Sequence, residues 1–135
     1  MFETKFAIVL RDDLAMWQKL NVTAFLATGI VGQKPEIIGE AYRDAAGNLY
    51  NALSMQPIIV LSAGGTALGD IQRRALAKDV RTSIYIDEMF STGHDAANRE
   101  VFSRSAPENA RVAGIAIHAE KKLVDKITKG AKLHG

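Results

Sequence analysis

The chain has 135 residues, of which 47% are hydrophobic and 24% charged, the make-up of one globular domain that can bury about two-thirds of its unfolded surface. Its 17 basic and 15 acidic residues leave a formal charge of +2, and it has no cysteine. That excludes disulfides, thiolate nucleophiles and cysteine metal sites, and argues against a dedicated nucleic-acid binder.

The predicted elements alternate. Lys5-Phe6-Ala7-Ile8-Val9-Leu10 is a short, branched apolar run and predicts a buried first strand, ended by Arg11, Asp12 and Asp13. From Leu14 to Ile30 the period becomes helical, through Leu14, Trp17, Leu20 or Asn21, Ala24, Leu26 and Ala27, with Gly29 and Gly32 punctuating the end. Residues 33–56 are broken by Pro35, Gly39 and Gly47. They predict a partly extended excursion with a turn over 44–48 and an edge strand at Glu40-Ala41-Tyr42-Arg43. Pro57 to Ser62 predicts a second buried strand. A turn at Ala63-Gly64-Gly65 follows, then a helix to about Asp79 capped by Thr66, with Leu68, Ile71, Ala75 and Leu76 inward. A third strand runs from Thr82 to Ile86, a short helix from about Asp95 to Arg104, and a fourth strand from Val112 to Ile117. The last helix spans Glu120 to Lys129, with Leu123, Val124 and Ile127 inward. This order predicts one α/β domain over 1–135, with helices on both faces of a four-stranded sheet. No apolar run approaches the ~18–20 residues of a membrane span. The first residues lack the pattern of a secretory leader, so the expectation is a cytoplasmic protein with no membrane partner.

In an open α/β sheet, ligands bind beyond the carboxyl ends of the strands. Three segments follow strands here: Arg11 to Lys19, Ser62 to Thr66, and Asp87-Glu88-Met89-Phe90-Ser91-Thr92-Gly93-His94-Asp95. If the three strands run parallel, all three segments share one edge. Asp87 would sit at that edge, with Thr92 and His94 on a flexible loop over it. A carboxylate ending a buried strand can orient a nucleophile, act as a base or bind a cation, or it can simply cap a turn. Gly64 and Gly65 ahead of a helix could cradle an anion, or form an ordinary turn. The stretch lacks both the lysine of a phosphate-binding loop and a dinucleotide fingerprint, so no cofactor is expected. The three histidines, His94, His118 and His134, are far apart in sequence, and no metal site is expected. The C-terminal lysines read as a solvated helix face.

Several stretches resemble the peptidyl-tRNA hydrolase type II family. Lys5 to Met16 looks like its opening strand followed by Arg-x-Asp-Leu-x-Met. Val112 to Ala116, Leu123 to Thr128 and Lys132-Leu133 look like its closing strand and helix, and Asp87 with a following threonine resembles its site segment. Leu20-Asn21-Val22-Thr23-Ala24-Phe25-Leu26 is closer still to an uncharacterised bacterial family placed in that superfamily. The resemblance implies a three-layer α/β/α fold with a mixed sheet, a homodimer and, if the chain is an enzyme, a hydrolase. It also implies Asp87, Thr92 and Lys19 as catalytic residues, with Asn21 and Thr23 in the changed pocket; the reading of the strand-end segments adds His94, Gly64 and Gly65 as expected ligand-binding residues. The first helix departs from the hydrolases, which carry a lysine, then Ala-Ala-Gln and a histidine. In one register Lys19 keeps the lysine and Thr23 replaces the glutamine. In the other Asn21 and Phe25 take those places, and neither register keeps the histidine. A neutral asparagine supplies no cation to an oxyanion.

The favoured expectation is therefore a changed pocket that binds or acts on a small polar ligand. One alternative is hydrolysis of the ester of peptidyl- or aminoacyl-tRNA, with tRNA as partner. The other is a non-catalytic dimeric interaction protein.

Overall fold

Phe6, Ile8 and Leu10 point to one side of strand β1 (Thr4–Arg11), and Ala7 and Val9 to the other. All five are buried, because the strand is covered on both faces. In the computed structural model, which describes residues 2–135, the next elements are helix α1 (Met16–Gln33) and a small hairpin of β2 (Tyr42–Arg43) and β3 (Leu49–Tyr50). They are followed by β4 (Ile58–Ala63), α2 (Gly65–Ala77), β5 (Ser83–Ile86), α3 (Asp95–Ser103), β6 (Val112–Glu120), α4 (Lys121–Ile127) and β7 (Lys132–Leu133). The main sheet is mixed, with the order β5-β6-β1-β4-β7. Phe6, Ile8, Leu10, Tyr85, Ala113 and Ala116 form one core with Val22, Leu26 and Ile30 of α1. Ala7, Val9, Ile115 and Ile117 form the other, with Leu68, Ile71 and Ala75 of α2 and Val124 and Ile127 of α4.

The sheet has five strands rather than four: the short β7 pairs antiparallel with β4, through Leu61 with Leu133 and Ser62 with Lys132. Two residues are too few for a period-2 pattern to announce a strand. The segment expected as an edge strand pairs instead with β3, outside the main sheet. Its turn is closed by the Asp44 carboxylate, which accepts from Ala46 N, Asn48 N, Asn48 Nδ2 and the Tyr50 hydroxyl. Those bonds, that of the Asn48 side chain foremost, hold the carboxyl at a pKa of about 2.

The expectations for both α1 and α2 need correction. Gly29 and Gly32 do not end α1, which runs through both to Gln33. A Cβ on Gly29 would lie 2.2 Å from Ser83 Oγ, so glycine serves the close approach of α1 to β5. The buried stripe of α1 is Val22, Leu26 and Ile30, while Trp17 and Leu20 are 61% and 65% exposed. On α2, Gly64 and not Thr66 is the N-cap, and Leu76 faces outward while Gln72 is buried.

Near the other end of the sheet, Gln56 bridges β1 and β6. Its Nε2 donates to Thr4 O at 3.3 Å, and its Oε1 lies 2.9 Å from His118 Nε2. An amide oxygen can only accept, so His118 carries its proton on Nε2. Burial, and secondarily the charge of Lys34, lowers the His118 pKa below its ordinary 6.5. The folded chain then binds this proton less readily than the unfolded one. The contribution to stability is complete above pH 6.5 and is lost as pH falls below it towards the depressed value. The melting temperature is expected to fall more in the wild type than in His118→Gln between about pH 7.5 and about pH 5.5. Equal falls in differential scanning calorimetry would contradict this.

Candidate functional site

Strand β1 runs parallel to β4, and β6 runs antiparallel to both β1 and β5, so β1, β4 and β5 all point the same way. Arg11, Ala63 and Ile86 therefore end at one edge of the sheet. With strands about 4.8 Å apart, Gly64 and Gly65 beyond β4 stand about 14 Å from Asp87 beyond β5, so they share the edge without sharing a pocket.

Arg11 spans the gap from β1 to β5 across the end of β6. Its Nη1 donates to Val112 O at 3.1 Å and lies 2.8 Å from Asp87 Oδ1, and its Nε donates to Asp13 Oδ1 at 2.6 Å. The contact with Asp87 is an ion pair rather than an aligned hydrogen bond, and Asp87 Oδ1 has no aligned donor. Burial disfavours the guanidinium charge, but Asp13 and Asp87 outweigh it and raise the Arg11 pKa. Asp87 also meets Arg111 Nε at 3.9 Å, and its backbone N–H donates to Arg111 O at 3.0 Å.

From Asp87 the chain turns through a 3-10 segment (Asp87–Ser91), then Thr92 and Gly93, into α3. The loop expected to be flexible is thus held by local bonds. His94 is the N-cap of α3, with Nδ1 accepting from Ala97 N at 3.2 Å. In the neutral ring that places the proton on Nε2. Thr92 Oγ1 reaches Met89 O at 2.9 Å and also contacts Asn98 Oδ1. A hydroxyl has one proton, so with Thr92 donating to Met89 the Asn98 amide must turn its NH2 towards Thr92.

Between this segment, α1 and β5 lies a cleft of about 650 Å³. Asn21, Thr92 and His94 line it; Lys19, Thr23, Asp87, Gly64 and Gly65 do not. On a helix, residues two apart point in nearly opposite directions, so Asn21 and Phe25 share the cleft face while Lys19 and Thr23 lie off it. The Thr23 hydroxyl donates to its own helix, at Lys19 O, over 2.7 Å. Trp17, Phe25, Tyr85, Phe90 and Phe102 also line the cleft. Three of their contacts form a chain: Trp17–Phe90 with ring centroids 5.8 Å apart, Phe90–Tyr85 at 5.0 Å and Tyr85–Phe25 at 5.8 Å. Burial raises the Tyr85 pKa, keeping that hydroxyl a donor. Reading from the sequence missed this aromatic lining. Its signal was the four-residue spacing of Trp17, Asn21 and Phe25, which puts an amide between two rings on one helical stripe.

The family model for a protein of unknown function, DUF2000, matches residues 4–135. The chain belongs to the DUF2000 family. A solved structure of a protein of unknown function, Atu0240 from Agrobacterium tumefaciens strain C58, is 64% identical, with a TM-score of 0.99 over 100% of each chain. No curated protein matches. In this DUF2000 chain no helix among the described residues is long and apolar enough to cross a membrane.

Proposed function

We propose that the cleft between α1 and the segment after β5 binds a small polar molecule, in a peptidyl-tRNA hydrolase type II-like fold whose pocket has changed. One observation carries this reading: Asn21 on one helix and Thr92 and His94, some seventy residues later in sequence, line the same cleft. Asn21 and Asn98 offer amide groups and His94 an N–H, the few convergent polar groups typical of ligand sites. Hydrolysis of a tRNA ester is the weaker reading, because Asp87 is engaged by Arg11 and lies outside the cleft.

The test is a thermal-shift screen with N-acetyl amino acids, small amides and polyols, run on the wild type and on Asn21→Ala. A ligand at a hundredfold its Kd stabilises by about 2.7 kcal/mol. At least one compound is expected to raise the melting temperature of the wild type and not of the variant. A panel in which no compound separates the two would overturn the reading.

A second reading, self-association, is favoured by Met16 and Leu20, which are 68% and 65% exposed one turn apart on α1. A homodimer built there should become a monomer in Leu20→Glu by light scattering. A wild type that is already monomeric would remove this reading.

A further inference from the structure

The cleft's lining says more about its occupant than that it is small and polar. Trp17, Asn21 and Phe25 follow one another at four-residue spacing along α1, about 6 Å per step. Trp17 and Phe25 each keep more than half of their surface exposed, at 61% and 52%. Exposed aromatic side chains offer a large apolar contact area to a ligand. The asparagine between them presents an amide oxygen and an amide NH2 side by side, which pairs with an adjacent donor and acceptor on a partner's edge. Formal charge is balanced in the lining: Arg99 Nε is 2.7 Å from Asp95 Oδ2, and both belong to the cleft. Neither an anion nor a cation finds a free opposite charge there among the described residues.

We propose that the cleft takes an uncharged, planar heteroaromatic ring carrying neighbouring hydrogen-bond donor and acceptor atoms. The ring lies against Trp17 and Phe25, and Asn21 reads its edge. This inference rests on the ligand-binding reading of the same cleft and narrows it.

The chain contains one tryptophan, so a 15N-labelled sample gives a single indole N–H signal, and that signal reports the cleft directly. The probes are adenine, which has both ring and edge, glutarimide, which has the edge without an aromatic ring, and toluene, which has the ring without the edge. Adenine is expected to shift the Trp17 signal saturably. Asn21→Ala should weaken it about tenfold, and Phe25→Leu should weaken it as well. Asn21 is exposed on a helix, where alanine is the better helix former, so the variant keeps its fold. Glutarimide or toluene binding as tightly as adenine would overturn the proposal, as would an unchanged adenine affinity in Asn21→Ala. If adenine is silent while the thermal-shift screen yields an Asn21-dependent compound, the ring class falls and the ligand site stands. If both are silent, both fall.

Discussion

Gly114→Leu is expected to destabilise the fold by about 3 kcal/mol or more and to disturb the cleft with it. Gly114 sits on β6 where α1 crosses. A Cβ there would lie 2.7 Å from Val22 Cγ1, 3.1 Å from Leu26 Cδ1 and 3.3 Å from Leu10 Cδ2. Val22 and Leu26 are the buried stripe of α1 and Leu10 belongs to β1, so no neighbour is a free side-chain end. The helix must lift, and Trp17, Asn21 and Phe25 lift with it. Urea denaturation should show a lower midpoint, and the emission maximum of Trp17 should move. Gly114→Ala should cost less, and adding Val22→Ala to it should recover part of the loss, a coupling measurable in a double-mutant cycle. A Gly114→Leu protein as stable as the wild type would mean that α1 does not pack where it is described.

Arg11→Met should cost nearly as much, about 2–3 kcal/mol. Removing one partner of a buried ion pair costs about 3–5 kcal/mol, and the lower figure applies because Asp87 stays 24% exposed. The loss is also wider than one pair. Val112 O loses its side-chain donor, and Asp13 and Asp87 are left without the guanidinium. Asp87→Asn should cost only about 1 kcal/mol, since Arg11 keeps Asp13 and Val112 O as partners and the amide fills the carboxylate's place. The two variants separate structure from chemistry. If Asp87 serves only as the anchor of Arg11, Asp87→Asn should bind cleft ligands as the wild type does while Arg11→Met binds them weakly. Loss of binding in Asp87→Asn at undiminished stability would give Asp87 a direct part in the site.

Strands β1, β4, β5 and β6 were legible because they are apolar runs bounded by charges, prolines or glycines, and their ends fall within a few residues of expectation. The expected burial of β4 is not met: Ile58 is 40% exposed and only Ser62 and Ala63 are buried, because this strand lies beside the two-residue edge strand β7. Their shared direction was not legible. It depends on β6 inserting between β5 and β1, a pairing about thirty to a hundred residues apart in sequence. Periodicity says which side chains recur on a face and nothing about which face meets a neighbour. Hence Trp17 and Leu20 fitted the helical stripe of α1, while burial fell on Val22, Leu26 and Ile30. Alternation along β6 also breaks. Tyr85 pairs with Gly114 and Ile86 with Val112, so Ala113 is an extra residue, and the bulge sends Ala113 to the α1 side and Val112 to the other. In the site, the segment from Asp87 to His94 stood out as polar chemistry past a strand end. The aromatic half of the cleft was hidden because all its residues but Phe90 come from outside that segment, from α1, β5 and α3.

The place of β6 in the sheet bears on how the molecule comes into being. A ribosome delivers β1, α1, β4, α2 and β5 first, yet β5 has no partner in the sheet until Val112 to Ile86 and its neighbouring pairs can form. The walls of the cleft are all synthesised by Phe102, but the strand that holds them at working distance arrives afterwards. A nascent chain therefore cannot fix the distance between the walls of the cleft until Val112 to Glu120 emerges, and a chain that stops just before Val112 would lose that support while keeping every residue of the lining.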